Sequence, residues 1–119
     1  MSYVDGFVLA VPKDRLEEYL KIARSCGAVW REHGALSYVE CVADDVPYGQ
    51  LTSFPRAVMA KEDETVVFSW ITYESREQRD AVNAKVMADP RIHALCDSND
   101  QPFDCKRMAY GGFEAIVKA

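Results

Sequence analysis

Apolar and polar positions along the chain fall into two rhythms, and their order predicts the elements. From Tyr3 to Val11 ("YVDGFVLAV") the chain is rich in Val, Phe and Leu and stops at Pro12, which predicts a buried strand. Pro12 suits the first turn of a helix, where a missing N–H costs nothing. Between Lys13 and about His33, the residues Leu16, Tyr19, Leu20, Ala23, Cys26 and Trp30 recur at three- and four-residue intervals. That is one stripe of an amphipathic helix, with Glu17, Lys21, Arg24 and Arg31 on its other faces. Gly34 fits a left-handed cap behind it.

"ALSYVECVADD", Ala35 to Asp45, predicts a second strand. The stretch after it carries Pro47, Gly49 and Pro55, and "SFPRAVMA" within it suits either a helical turn or a short extended piece. "TVVFSWITY", Thr65 to Tyr73, is the clearest strand by its β-branched and aromatic content. Ser75 and Gln78 form a capping box that opens a second helix, running to about Ala88 with a slim inward side of Ala81, Val82, Ala84, Val86 and Ala88. Asp89-Pro90 ends it. "PRIHALC" is compatible with one more short helix, "DSNDQPFDCK" with a loop, and "KRMAYGGFEAIV", Lys106 to Val117, with a last strand.

The order β-α-β-β-α-β predicts an α+β fold of the ferredoxin-like type: a four-stranded antiparallel sheet with two helices on one face. The third strand sets Val67, Ser69, Ile71 and Tyr73 on one side and Val66, Phe68, Trp70 and Thr72 on the other, so neither side is solvent-like. A sheet apolar on both faces needs a second cover, most simply another copy of itself, which predicts a homodimer. The adjacent glycines of the last strand then divide their work. Ala109, Gly111 and Ala115 are expected to face the slim second helix, and Gly112 the opposite side, where it would leave a hollow beside Tyr110 and Glu114. A β-bulge at the pair is the alternative, and it would exchange these faces.

Composition narrows the function classes. The 119 residues make one domain, 1–119, of ordinary globular composition, with 49% hydrophobic and 28% charged residues. Fourteen Lys+Arg against 19 Asp+Glu leave a net charge of −5, which disfavours nucleic acid as a partner. No stretch reaches the length of a membrane helix, and the first residues lack a basic leader followed by an apolar run, so a cytoplasmic protein is expected. Cys26, Cys41, Cys96 and Cys105 sit at scattered spacings and read as reduced thiols. His93, Cys96 and Cys105 offer three ligands at a spacing that matches no standard zinc site, and no phosphate-binding, dinucleotide or nucleophile-elbow motif occurs. Neither a metal nor a cofactor is expected.

If the face assignment holds, Asp5, Tyr38, Glu40, Trp70, Tyr110 and Glu114 project away from the helices and, with the hollow at Gly112, line a cavity for a small organic ligand. Carboxylates desolvated among aromatics are plausible proton acceptors. Asp5, Glu40 or Glu114 would be the base and Tyr38 or Tyr110 the donor; the competing reading puts these carboxylates in water or in ion pairs, with Glu114 against Lys106 or Arg107 of a neighbouring protomer. His33, at the end of the first helix, suits the helix dipole as a cation. Arg91 is expected to pair with an acidic neighbour.

Six dispersed strings, "YVDGFVLAVP", "EHGALSYVEC", "SFPRAV", "ETVVFSWITY", "DPR" and "FDCKRMAYGGFE", resemble the YbaA-like family of small uncharacterised bacterial proteins over essentially the whole chain. That resemblance implies the dimeric α/β-barrel superfamily, in which two ferredoxin-like protomers pack sheet against sheet. It brings no established reaction and no catalytic residue. Its wider relatives include cofactor-free monooxygenases, isomerases and haem-degrading enzymes, an analogy at the level of fold. The function expected is a ligand-binding homodimer, of which a cofactor-independent enzyme of isomerase or monooxygenase type is one form; the alternative is a non-catalytic protein-interaction or structural dimer module.

Overall fold

Strand β1 (Tyr3–Pro12) pairs antiparallel with β3 (Glu64–Tyr73) on one side and β4 (Ala109–Glu114) on the other, and β2 (Ser37–Val42) pairs with β3. The sheet order is β2-β3-β1-β4. This is the arrangement in the computed structural model of the chain, which describes residues 2–119. β1 runs through Pro12, and a 3-10 turn over Lys13–Arg15 delays helix α1 to Leu16–Glu32. Gly34, at φ +119°, makes the turn into β2 in a conformation that side chains disfavour.

The segment left open by the sequence contains a helical turn, α2 (Phe54–Ala57), with Pro55 in its first turn and the Ser53 hydroxyl accepting from the Arg56 N–H at 3.2 Å. Helix α3 (Arg76–Met87) begins at the predicted Ser75 cap, which accepts from the Gln78 N–H at 3.1 Å. The Gln78 amide reaches back to the Glu74 N–H, one residue before the cap, and donates to the Gly34 carbonyl, fastening α3 to the α1–β2 turn. A short helix α4 (Pro90–Cys96) follows. The last strand is shorter than its alternation suggested, because Cys105–Arg107 is a 3-10 turn and pairing ends at Glu114.

Registers fix the faces. Asp5 stands opposite Ile71 and Gly112, and Gly6 opposite Trp70 and Gly111. Tyr38 and Glu40 stand opposite Ile71 and Ser69. The helices cover the side bearing Leu9, Val11, Val67, Ile71 and Tyr73. There these residues meet Tyr19, Ala23, Cys26 and Val29 of α1, Val82 and Val86 of α3, and Ile92 of α4. Each fully buried side chain of this size contributes roughly 1.5–3 kcal/mol by leaving water.

This register corrects the expected faces. Asp5, Tyr38, Glu40, Tyr110, Gly112 and Glu114 share the helix side, while Ala109, Gly111 and Phe113 lie on the uncovered side with Trp70. No bulge causes the exchange: β4 pairs with β1 without interruption from Tyr3–Glu114 to Val8–Ala109. The physical reason is that the polar residues of β1 and β2 find partners on the helices, so they do not need water. On the uncovered face, Val58 and Ala60 fold over Ala10 and Val66, and Phe54 sets its ring edge-on to Phe68 at 5.8 Å. The rest of that face stays open.

Candidate functional site

The site is built where α1 crosses the edge strand β2. An interior helix glycine costs about 1 kcal/mol relative to alanine, so Gly27 calls for a reason. The reason is Tyr38: a β-carbon on residue 27 would stand 2.8 Å from Tyr38 Cδ1 and 3.1 Å from Cε1. The Tyr38 ring occupies that space and leans on Trp30, with ring centres 6.0 Å apart.

Beside it the Glu40 carboxylate accepts two hydrogen bonds, from the Tyr19 hydroxyl to Oε1 and from the Tyr38 hydroxyl to Oε2, each 2.8 Å long. Burial, followed by the charge of Glu40, pushes both phenols above their ordinary range, so both remain protonated donors. Leu20, Ala23, Gly27 and Ala28 form the helix wall of a cleft of about 420 Å³, Tyr38 and Glu40 its sheet wall, and Arg24 and Arg31 its charged side. Its volume is typical of small-ligand sites, roughly 300–1,000 Å³.

The other expected site residues are dispersed. Asp5 is 4% exposed and locked by Arg79 of α3, which donates from Nε at 3.1 and 3.0 Å and from Nη2 at 2.9 Å. Gly112 gives this pair room, because a β-carbon there would stand 2.7 Å from Arg79 Nη2 and also collide with the Tyr3 hydroxyl. Tyr110 stacks on Phe7 at 6.4 Å but is largely exposed, Glu114 lies exposed at the end of β4, and Trp70 is on the opposite face beside Phe68. Thus Tyr38 and Glu40 come together, Asp5 and Gly112 come together elsewhere, and Trp70 belongs to neither group. Arg107, considered for Glu114, pairs instead with Glu64 of its own chain at 2.7 Å.

Tyr19, Gly27, Arg24 and Arg31 did not stand out as site residues in the sequence. Tyr19 counted as one more member of an apolar stripe, and its hydroxyl has a use only once β2 is folded against α1. Gly27 was the available signal, since a glycine inside a helical pattern often marks close approach.

Two further sets of residues bear on metals. Glu32, His33 and Asp89 present ligand atoms within 4.8 Å of one another. Arg91 already occupies that space, donating to Asp89 from Nε at 3.1 Å and from Nη2 at 2.7 Å and also to Glu32, while His33 Nε2 lies 2.8 Å from Asp89. Arg91, then His33, holds the Asp89 carboxyl well below the usual carboxylate range. The cluster is an ion-pair knot between α1 and α4, in which Arg91 finds the acidic partners expected of it. His93 faces the Met87 carbonyl at 2.8 Å and Asp97 at 3.3 Å, and among the described residues it forms no ligand cluster with Cys96 and Cys105.

The fold is the ferredoxin-like one of known dimeric proteins. A dimeric ferredoxin-like protein from an uncultured marine organism superposes with a TM-score of 0.61 over 100% of both chains at 11% identity. An uncharacterized NIPSNAP domain protein from Burkholderia xenovorans does so with a TM-score of 0.62, over 98% of this chain and 97% of that one, at 14% identity. Residues 2–105 match the family described as "Protein of unknown function (DUF1428)", and the chain belongs to that family. It is 54% identical over 117 residues, 98% of each chain, to the uncharacterized protein YbaA of Escherichia coli (strain K12), as the six strings indicated.

Proposed function

We propose that the chain is a homodimer that binds a small organic molecule in the cleft between α1 and β2, with Glu40 as the group that meets the ligand. One observation carries this reading: a half-buried carboxylate, braced by two tyrosine hydroxyls at 2.8 Å and, among the described residues, paired with no cation, forms the wall of a cleft of about 420 Å³. A carboxylate kept only to stabilise the fold would be expected to have an arginine or lysine against it, as Asp5 and Glu64 do. Each Glu40 oxygen keeps a lone pair for a ligand N–H or O–H.

Of the three carboxylates considered as bases, Glu40 alone both opens on a cleft and is free of a guanidinium. It is the one fitted to accept a hydrogen bond from a bound molecule, with Tyr19 and Tyr38 holding its two oxygens in place. The dimer reading is supported by the apolar uncovered face and by the dimeric protein of the same fold. Among the described residues no helix is long and apolar enough to cross a membrane. Four free thiols agree with a reducing, cytoplasmic location.

A fragment screen followed by ¹H–¹⁵N chemical-shift mapping tests the cleft. Fragments are expected to move amides of residues 20–31 and 38–40, which line it, and Glu40→Gln should weaken them. Hits confined to other surfaces, or hits indifferent to Glu40→Gln, would refute the proposal.

A further inference from the structure

We infer that the ligand of the α1–β2 cleft is a small organic acid with an apolar body and a hydroxyl or amine donor at the end away from its carboxylate. The inference rests on the reading of that cleft as a binding site and adds the ligand's charge pattern.

The cleft holds charges of both signs that do not satisfy one another. Arg24 and Arg31, seven residues apart and so on one side of α1, both border it, and so does Glu40. Among the described residues no ion pair joins either arginine to Glu40, whose two oxygens each accept one hydrogen bond, from Tyr19 and Tyr38, and keep a lone pair for a ligand. Arg31, which borders the cleft, spends one N–H on the Leu36 carbonyl at 2.8 Å, and among the described residues its guanidinium has no other partner. Arg24 has no hydrogen-bond or ion-pair partner among the described residues. Opposite charges that share a cleft without touching are complementary to a molecule of reversed polarity, with an anion for the guanidiniums and a proton donor for the carboxylate. Guanidinium forks match a carboxylate in geometry as well as charge. Between the two ends run Leu20, Ala23, Gly27 and Ala28 on one wall and the Tyr38 ring on the other. That lining takes an apolar or aromatic body and offers little to a sugar or a polyanion.

Four matched probes test the assignment on the full chain by ¹H–¹⁵N titration: 4-hydroxyphenylacetate (acid and donor), phenylacetate (acid alone), tyrosol (donor without acid) and tyramine (cation in place of acid). The expected result is that 4-hydroxyphenylacetate moves the cleft amides and binds about tenfold more tightly than tyrosol, the factor for roughly 1.4 kcal/mol of charge-assisted hydrogen bonding. Arg24→Gln and Arg31→Gln should each weaken the two acids several-fold and leave tyrosol unchanged. Glu40→Gln should weaken 4-hydroxyphenylacetate more than phenylacetate. Both arginines are exposed on α1, and a dispersed spectrum of each variant confirms that it is folded. Tyrosol or tyramine binding the cleft as tightly as the acid would overturn the ligand class while leaving the cleft standing. So would acid binding that ignores both arginine variants, or no binding by any of the four probes. Failure of the broader fragment screen to find any cleft ligand would instead remove the site itself.

Discussion

Arg79 reaches from α3 across the helix face of the sheet and grips Asp5 of β1, with Nε 3.1 and 3.0 Å from the two carboxylate oxygens and Nη2 2.9 Å from one of them. The same guanidinium lies 5.2 Å from the centre of the Tyr3 ring. Asp5 is nearly inaccessible and Arg79 mostly so; Arg79 also donates from Nη1 to Asp80 at 2.9 Å, so loss of Asp5 strips the Nε and Nη2 donors of their partner but leaves the guanidinium one carboxylate. Asp5→Ala should therefore cost about 1–3 kcal/mol, the usual cost of leaving buried donors unsatisfied, while Asp5→Leu combined with Arg79→Met should recover much of that loss. Urea unfolding at one fixed protomer concentration checks both, because self-association would make stability depend on concentration. Equal losses in single and double variants would mean that the pair does not act as a unit.

The two adjacent glycines of β4 make opposite predictions. A methyl group on Gly112 would press on Arg79 Nη2 and the Tyr3 hydroxyl, whereas one on Gly111 meets only Phe113, at an ordinary 3.8 Å. Gly112→Ala should thus lower stability by about 1–3 kcal/mol, the usual cost of overpacking. Gly111→Ala should be close to neutral for the folded protomer. Paired thermal and urea unfolding curves separate the two, and similar behaviour of both variants would contradict the face assignment.

At Gly27 propensity and packing oppose one another. Alanine gains about 1 kcal/mol in a helix interior, but its β-carbon would fall 2.8 Å from the Tyr38 ring, which cannot turn aside as a flexible chain end can. Packing should win, making Gly27→Ala destabilising on balance. The displaced ring should also break the 2.8 Å bond from Tyr38 to Glu40. The Tyr38 ring protons report this directly by NMR, and cleft ligands should weaken in parallel. A stabilised variant with an unmoved ring would show that the contact relaxes at little cost.

The acid limb of stability should run partly through Glu64. Hydrogen bonds from Arg107, at 2.8 and 2.7 Å, hold its carboxyl down to about 2 from an ordinary 4.5. A carboxyl depressed in the folded state stabilises it above the unfolded value, and that contribution is lost as pH falls from about 4.5 through about 2. Glu64→Gln should therefore be less stable at pH 7, yet lose less further stability on acidification across that window. Urea midpoints at a series of pH values test this, and parallel curves for the two proteins would refute it.

How much of this was legible in the sequence follows from where each signal resides. The faces of β3 were readable because Trp70 and Phe68 alternate with Ile71 and Val67 within one strand. What alternation cannot state is how one strand aligns with the next, and a shift of one residue sends every side chain to the other face. Asp5 and Glu40 look like residues for water until Arg79, 74 positions away, and Tyr19, 21 positions away, arrive to satisfy them. No local pattern announces either partner. The Ser75 cap and the Asp89-Pro90 stop are local devices, and both fall where they were expected. For the candidate site, Tyr38 and Glu40 were identifiable as residues, but the wall they face was not.

The uncovered face yields the broadest prediction. Phe68 and Phe113 remain 42% and 64% exposed there, with Trp70 between them in sequence, and a β-carbon on Gly6 would stand 3.9 Å from the Phe113 ring. α2 and its flanks cover the end near Ala10 and Val66 but not this part. Aromatic side chains gathered around a pair of glycines opposite one another across two strands, Gly6 and Gly111, make a surface with both knobs and a hollow. Such a surface can complement its own copy about a two-fold axis. Sedimentation at micromolar concentration should accordingly give twice the 13.4 kDa of the chain. Trp70→Glu, which sets a charge in the middle of the patch without touching the helix-side core, should give the single chain with its helical signal intact. A wild-type particle of 13.4 kDa would mean that this face meets water or a different protein. An unaltered dimer in the variant would move the interface elsewhere on the surface.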